Sequence, residues 1–466
     1  MNRTKTVLLI TPPYSSHERL GNLHFLGARL PSISLLYLAS AIRDCCELSV
    51  LDASFLNYDE ERTMEAIRRI APDLVGISAV TPSISRAQHL AECIKTFNPR
   101  ITTILGGPHI TSVPLETMER TSAIDVGVVG EGEVTLLDIV ERFDGSKMSL
   151  IGIRGTIVRD DAGQFHWGEP RELISDIDSL GFPAYDLVDR NFPLHPAMFK
   201  TKRVPAIHAI TSRGCAHTCL YCNTNIFNKK IRFHSADYVI NLIKQLMQLG
   251  YREISFEDDN FTDHRKRLTE ICNWLIDERI ELVWSVNARI DTVDEVVLKL
   301  MRRAGCWYIS YGVESGSQET LDRIGKKITL DLIRQRIKLT RKCGIEAKGF
   351  FIIGFPWETE QTIQETVDFA LSLQLSDLNI FPLTPFPGTA VYDQAKLQGA
   401  FDDDWSKMDL QQIVYVPPGL TSQFLLGQVK KLLLSFYFRP RTILNYIRRA
   451  IGAREVYLSG AKDFFK

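Results

Sequence analysis

Thr211-Ser212-Arg213-Gly214-Cys215-Ala216-His217-Thr218-Cys219-Leu220-Tyr221-Cys222-Asn223 is the stretch on which the reading of this chain turns. It grows out of Ala206–Thr211, a short apolar run that reads as a strand, so three thiols spaced C-x₃-C-x₂-C sit on a loop at a strand's carboxyl end. Three thiolates on one loop can hold three corners of a cubane iron–sulfur cluster, which four cysteines normally complete. No fourth cysteine lies nearby, which leaves one iron open to a substrate. Structural zinc competes, but such zinc takes four ligands, usually from paired C-x₂₋₄-C elements. His217 could be a fourth ligand, and its place inside the x₃ loop strains that arrangement.

Around this loop, residues 206–415 alternate strand and helix patterns. Further strands are expected at Glu253–Phe256, Leu282–Val286, Trp307–Gly312, Ala347–Ile353 and Asp377–Phe381, with helices such as Ala236–Gln248 and Val293–Ala304 between them. Six such units joined by right-handed crossovers predict a partial (β/α)6 barrel of TIM type, with function at the carboxyl ends of its strands. Those ends carry Phe256-Glu257-Asp258-Asp259-Asn260-Phe261, Ser285-Val286-Asn287-Ala288-Arg289, Gly312-Val313-Glu314-Ser315-Gly316-Ser317 and Gly349–Pro356. Singly, each also reads as a glycine-containing turn or a core strand.

Residues 1–145 repeat the alternation, with strands expected at Thr6–Thr11, Leu48–Asp52, Leu74–Ala79, Thr102–Leu105 and Ile124–Val129. This pattern predicts an α/β domain with a doubly wound, Rossmann-like parallel sheet. Such sheets bind ligands in the crevice beyond the carboxyl ends of their strands. There the chain places Gly106-Gly107-Pro108-His109 and Gly130-Glu131-Gly132-Glu133. No G-x-G-x-x-G or P-loop pattern marks a nucleotide site. Residues 146–205, with a short hairpin and several prolines, read as a connector, and residues 416–466 as a helical region.

At 466 residues, two or three domains are expected. The 55 Lys and Arg nearly balance 56 Asp and Glu, so the chain as a whole is not built to coat nucleic acid or a membrane. No apolar run approaches the ~20 residues that span a bilayer. No secretory signal is visible, and cytoplasm is the expected location. Six of the nine cysteines are scattered (Cys45, Cys46, Cys93, Cys272, Cys306, Cys343) and are expected as small buried hydrophobes. Charge is uneven at the end: from Val429 onward nine Lys or Arg face Glu455 and Asp463.

The cysteine triplet with an aromatic before its last member, Tyr221, resembles the radical S-adenosylmethionine superfamily. The later motifs follow in the order that superfamily uses. Asp258 and Asp259 stand where it places polar groups near the methionine amino group. Many members have Gly-Gly-Glu there, and this variant resembles the subfamily with a cobalamin-binding domain. Arg289, beside Ser285, resembles the arginine that pairs with the methionine carboxylate, a task suited to a guanidinium fork. Glu314 and Ser315 resemble a Gly-x-Glu-Ser-Gly motif lining the cofactor site, and Gly354 a segment beside the adenine. The amino-terminal domain resembles the cobalamin-binding module, its loops contributing Gly106, Gly107, His109, Gly130, Glu131 and Glu133. None of the ten histidines sits in the Asp-x-His-x-x-Gly pattern that ligates cobalt in methionine-synthase-like domains, so corrin without a histidine ligand is expected.

The resemblance implies a [4Fe-4S] cluster on Cys215, Cys219 and Cys222, which reductively cleaves S-adenosylmethionine to a 5′-deoxyadenosyl radical. Cobalamin would then deliver a methyl group to an unactivated carbon of a small molecule, a lipid or a tetrapyrrole among the options. An oxidative cyclase or rearrangement enzyme resembling the anaerobic magnesium-protoporphyrin IX monomethyl ester cyclase is the alternative. An RNA-modifying methylthiotransferase fits less well, because that family adds amino-terminal cluster cysteines and an RNA-binding β-domain; no nucleic-acid partner is expected. Flavodoxin or ferredoxin is the expected electron donor. The basic end, with Lys430, Lys431, Arg448 and Arg449, reads either as helices packed on the barrel or as a surface for a membrane or an acidic donor.

Overall fold

The structure is a computed structural model that describes residues 4–14, 28–189, 194, 200–227 and 229–452. These form two compact units that divide near residue 191. Pro193 and Pro196 of the expected connector lie outside the described residues.

In the first unit, β1 (Thr6–Thr11), β2 (Glu47–Asp52), β3 (Leu74–Ser78), β4 (Thr102–Gly106) and β5 (Val126–Val128) form a parallel sheet in the order β2-β1-β3-β4-β5. β1 is central: Leu8 stands opposite Ser49 on one side and Val75 on the other. Val7, Leu8, Leu9 and Ile10 are all fully buried, as expected for a strand covered on both faces. The sheet order reverses between β1 and β3, which opens a crevice at their carboxyl ends. The segment read as a connector supplies β6 (Thr156–Arg159) and β7 (Phe165–Trp167). Both add to the β5 edge in antiparallel fashion and make a seven-stranded sheet. Asp160 to Gly163 turns the chain, and a short hairpin of this kind can only pair antiparallel.

Beyond β4, Gly107 adopts φ +108°, and a Cβ there would lie 2.5 Å from the Ala79 carbonyl oxygen at the end of β3. The loops after β3 and β4 therefore meet backbone to backbone, with Ala79 N–H donating to Gly106 at 3.0 Å. Gly130, at φ +89°, has open space where a Cβ would go. Gly107→Ala is thus expected to cost strain and collision together, more than about 2 kcal/mol, and Gly130→Ala strain alone. Urea midpoints check the order, and equal losses would show that the Ala79 contact yields.

The second unit carries β8 (Ala206–Ala209), a two-residue antiparallel pair β9 (Ser212–Arg213) and β10 (Arg232–Phe233), then β11 (Glu253–Phe256), β12 (Val283–Ala288), β13 (Cys306–Glu314), β14 (Glu346–Ile353) and β15 (Asp377–Pro382). β8 and β11–β15 form one parallel sheet in sequential order, with helices in the connections, and its edge strands do not pair. This is a partial (β/α)6 barrel. β14 shows why the inner face can carry polar groups: Ala347, Phe351 and Ile353 are buried, while alternate residues from Glu346 to Phe350 are half-buried and Phe350 lines a cavity.

Helices Ser422–Tyr437 and Pro440–Gly452 close the described chain. They are fastened at the amino ends of the strands, where Tyr437 Oη donates to Asp377 (2.5 Å) and to the Leu378 carbonyl (2.8 Å). Arg449 pairs with Glu346 at 2.6 Å and lies over the rings of Tyr446 and Tyr308. The four grouped cations therefore divide: Arg449 is a packing residue, whereas Lys430, Lys431 and Arg448 are exposed. The scattered cysteines divide too. Cys272 and Cys306 are buried, but Cys45 is exposed and Cys46, Cys93 and Cys343 are intermediate. Free cysteine is often buried, but Cys45, Cys46 and Cys343 sit in turns that follow helices and Cys93 lies beside His89 and Glu60 on a helix surface, where water reaches them.

Candidate active site

Residues 211–223 leave β8 at its carboxyl end, and buried polar groups hold the loop from behind. Asp258, at the end of β11, accepts from Thr211 N–H and Oγ1 (both 3.0 Å) and from the Ser212 hydroxyl. Arg267 donates to the Thr211 carbonyl at 2.9 Å. Burial raises the Asp258 carboxyl, and Arg267 and these donors oppose it. On the far side Leu220 N–H donates to Ile324 (3.1 Å), and Asn223 reaches the Pro387 carbonyl (3.4 Å).

In front of the loop lies a cavity lined by Cys215, His217, Cys219, Tyr221 and Cys222, by Asp259, Asn287, Ala288 and Arg289, and by Ser310, Gly312, Glu314, Lys326 and Phe350. The sequence expectation thus splits at adjacent residues. Asp259 faces the cavity, and Asp258 anchors the loop. Ser285 also lies behind the lining: it donates to Ser255 (3.1 Å), which donates to Glu257. Burial alone would raise Glu257, but Lys200, Ser255 and Asn287 outweigh it and hold the carboxylate at about 2.

Arg289 presents its fork to Asp291 (3.0 and 2.9 Å) and also donates to the Lys326 carbonyl at 2.8 Å. Glu314 is the last residue of β13 and adopts φ +72°, a costly conformation for a side chain of this size. It accepts from Lys326 Nζ at 2.8 Å, with both side chains under a tenth exposed. Gly312 makes room for this pair, since a Cβ there would meet Glu314 Oε1 at 2.3 Å and Lys326 Nζ at 2.8 Å. Sequence alone does not point to Lys326, because a lysine in a Gly-Lys-Lys turn reads as solvated. Ser315, the next residue after Glu314, contacts Thr366 (3.0 Å) and accepts from Ser317 N–H (3.1 Å), docking the turn on helix Glu360–Ser372.

At the end of β14, Gly354 and Phe355 donate their N–H groups to Glu358 Oε2 at 2.6 and 3.0 Å. Phe355 meets Tyr221 edge to face at 6.0 Å between centroids, so this turn also supports the cysteine loop. Burial pushes the Glu358 carboxyl up from 4.5 to about 7, against the pull of those two N–H donors. An acid whose value is raised on folding holds its proton longer in the folded state. Stability therefore falls as pH rises from about 4.5 to about 7, by about 3 kcal/mol in all. Glu358→Gln, which keeps an acceptor, should remove that part of the loss between pH 5 and pH 8 in urea denaturation. Glu253, also raised to about 7 by burial, continues to supply its own share.

The donor chemistry of the cavity fits an iron–sulfur cluster. Cys215, Cys219 and Cys222 all line the cavity and none is fully buried, so their sulfurs are open to a metal cluster, which binds cysteine as thiolate. Among the described residues, the set of three metal-ligating side chains with donor atoms all within 4.8 Å of one another is Glu60, His89 and Cys93. Cys215, Cys219 and Cys222 instead share the wall of one cavity, three thiols on one loop as a cubane with one open iron requires.

In the first unit, His109 is buried with Nδ1 3.0 Å from Thr81 Oγ1. Burial, aided by Arg120, lowers it to about 4, so its ring is neutral. Glu131 accepts from Ile174 N–H at 2.9 Å, and Glu133 is buried in the first turn of helix Gly132–Arg142. Gly106 and Gly107 stand at the β4 end of the crevice.

A barrel that opens a three-thiol cavity at its strand ends, preceded by a parallel sheet of this order, defines a class, and comparison with known proteins agrees. The Radical SAM superfamily matches residues 209–370 and the B12 binding domain residues 22–140. An uncharacterised methyltransferase of Pyrococcus horikoshii is 32% identical over 97% of this chain and 98% of its own. The anaerobic magnesium-protoporphyrin IX monomethyl ester cyclase of Rubrivivax gelatinosus is 27% identical over 99% of this chain and 82% of its own. Among solved structures, the cobalamin-dependent S-adenosylmethionine radical enzyme OxsB superposes with a TM-score of 0.75 at 17% identity, covering 97% of this chain and 72% of its own. The methyltransferase TsrM of Kitasatospora setae gives 0.72 at 19%, covering 94% and 92%. The chain belongs to the radical S-adenosylmethionine enzymes that carry a cobalamin-binding domain. Its cofactors are a [4Fe-4S] cluster, S-adenosylmethionine and cobalamin.

Proposed function

We propose that this enzyme methylates an unactivated carbon of a small molecule. The observation that carries the reading is full-length similarity to a protein described as a methyltransferase, at 32% identity, together with a cavity holding all three loop thiols. Cys215, Cys219 and Cys222 would hold the cluster, which would supply a low-potential electron, and bound cobalamin would supply the methyl group.

The remaining roles belong to the chain. Asp259, a carboxylate on the cavity wall, takes the methionine ammonium of S-adenosylmethionine. Arg289 takes its carboxylate, with Asp291 holding the guanidinium plane. Glu314, fixed by Lys326, and Tyr221 shape the wall, and the turn at Gly354 borders the adenine. In the first unit the loops at Gly106, Gly107, His109, Gly130, Glu131 and Glu133 form the corrin site. His109, buried with Nδ1 on Thr81 Oγ1, would line that site as a neutral packed ring. An acidic flavodoxin or ferredoxin is the electron donor.

Full-length similarity to the cyclase supports a second reading, oxidative ring closure. The test needs no substrate. Anaerobic protein with a chemical reductant, hydroxocobalamin and S-adenosylmethionine bearing a deuterated methyl group should yield labelled methylcobalamin and S-adenosylhomocysteine. Formation of 5′-deoxyadenosine without labelled methylcobalamin would overturn methyl transfer in favour of the oxidative reading.

A further inference from the structure

The two carboxyl-terminal helices have an inner apolar stripe and also an outer one. In Ser422–Tyr437 the inner stripe is Leu425, Leu432 and Phe436, all essentially inaccessible. On the outside Leu426 is 51% exposed and Leu434 52%, and Phe438 just beyond the helix is 73% exposed. In Pro440–Gly452, Ile443, Leu444, Ile447 and Ile451 are 42, 47, 51 and 67% exposed. A single large side chain left half in water is ordinary on a protein surface, but six on two consecutive helices and a seventh in their link mark a contact face.

Charge says what kind of surface they meet. Residues 422–452 contain six Lys or Arg and no Asp or Glu. Arg449 is spent on Glu346, and Arg439 donates to the Leu371 carbonyl at 2.8 Å. Lys430, Lys431, Arg441 and Arg448 stay exposed beside the outer apolar stripe. Exposed leucine, isoleucine and phenylalanine flanked by cations, with no acid among them, match the surface of an anionic bilayer: apolar side chains enter the acyl boundary while the cations meet lipid phosphate. Among the described residues no helix is long and apolar enough to cross a membrane, so the helices would lie along the interface.

We infer that the outer face of helices 422–437 and 440–452 docks this enzyme on an anionic lipid surface. The fastening through Tyr437 and Arg449 holds the inner sides of the helices on the barrel and leaves the outer face free to dock. The inference does not depend on which reaction the active site performs.

The experiment is co-sedimentation of the full-length holoenzyme with vesicles of phosphatidylcholine alone and of phosphatidylcholine with phosphatidylglycerol. Binding should require phosphatidylglycerol and weaken with salt. The triple variant Phe438→Ser/Ile447→Ser/Ile451→Ser and the charge variant Lys430→Glu/Arg441→Glu/Arg448→Glu should each lower partitioning by about tenfold. Both should keep cluster content and circular dichroism, since they touch only exposed side chains. Failure of the parent to bind either vesicle, or undiminished binding by both variants, would overturn the inference. So would a dimer in the absence of lipid that the triple variant makes monomeric, which would assign the face to a second copy. A salt-sensitive rate of reduction by an acidic flavodoxin, lost in the charge variant without any vesicle binding, would overturn it too.

Discussion

Cys219→Ala should yield a folded protein that holds iron and sulfide only at background and forms no 5′-deoxyadenosine under reductant. Cluster retention depends on three thiolates, and two would leave two irons exposed to solvent. The loop itself has other supports. Thr211 is held by Asp258 and Arg267 behind it, and Leu220 and Asn223 bond outward to Ile324 and Pro387. None of these bonds uses the Cys219 sulfur, which is partly accessible, so the change should alter stability by no more than about 0.5 kcal/mol. Iron and sulfide analysis, visible absorption after anaerobic reconstitution and chromatography of the quenched reaction read the three expectations separately. A stoichiometric cluster in Cys219→Ala would remove this cysteine from the ligand set. Loss of the fold in the apo variant would mean that the loop is held by the metal and not by its hydrogen bonds.

Much of this site can be read from the chain because its parts sit at positions where physics restricts the choice. A cluster needs thiolates, and few chemistries besides metal binding call for three of them in one short loop after a strand. Parallel strands buried on both faces leave apolar runs, so β1, with Val7 to Ile10, could be placed to the residue. What escapes is whatever depends on direction or on distant chain. Asp258 and Asp259 are neighbours with the same chemistry, yet at a strand end they point to opposite sides, one to Thr211 and one to the cavity. The 156–167 hairpin carries the turn signal of any hairpin, and nothing local says that it completes the sheet begun at residue 6. Arg449 looks like Arg448, its neighbour, and differs only because Glu346 lies a hundred residues earlier on the facing strand.

Lys326→Met is expected to cost about 3–5 kcal/mol in the folded apo protein, the usual penalty for removing one partner of a buried ion pair and leaving the other charge uncompensated. Glu314 cannot escape to water by a rotamer change alone. Its backbone is committed to φ +72°, Ser315 and Gly316 are docked on Thr366, and the side chain fills the space that Gly312 leaves. The loss should spread to cofactor binding, because the Lys326 carbonyl also accepts from Arg289, and its ammonium lies 3.5 Å from the Tyr221 hydroxyl beside the cluster loop. A double-mutant cycle separates the two effects. Lys326→Met/Glu314→Gln removes both charges and should regain most of the lost stability, since replacing a buried pair by neutral groups is often close to neutral. S-adenosylmethionine affinity, measured by equilibrium dialysis on the clustered protein, should stay low in the double variant if the cavity wall needs Glu314 itself. Recovery of affinity together with stability would instead assign the pair to packing alone, and leave Arg289 and Asp259 to hold the methionine end by themselves.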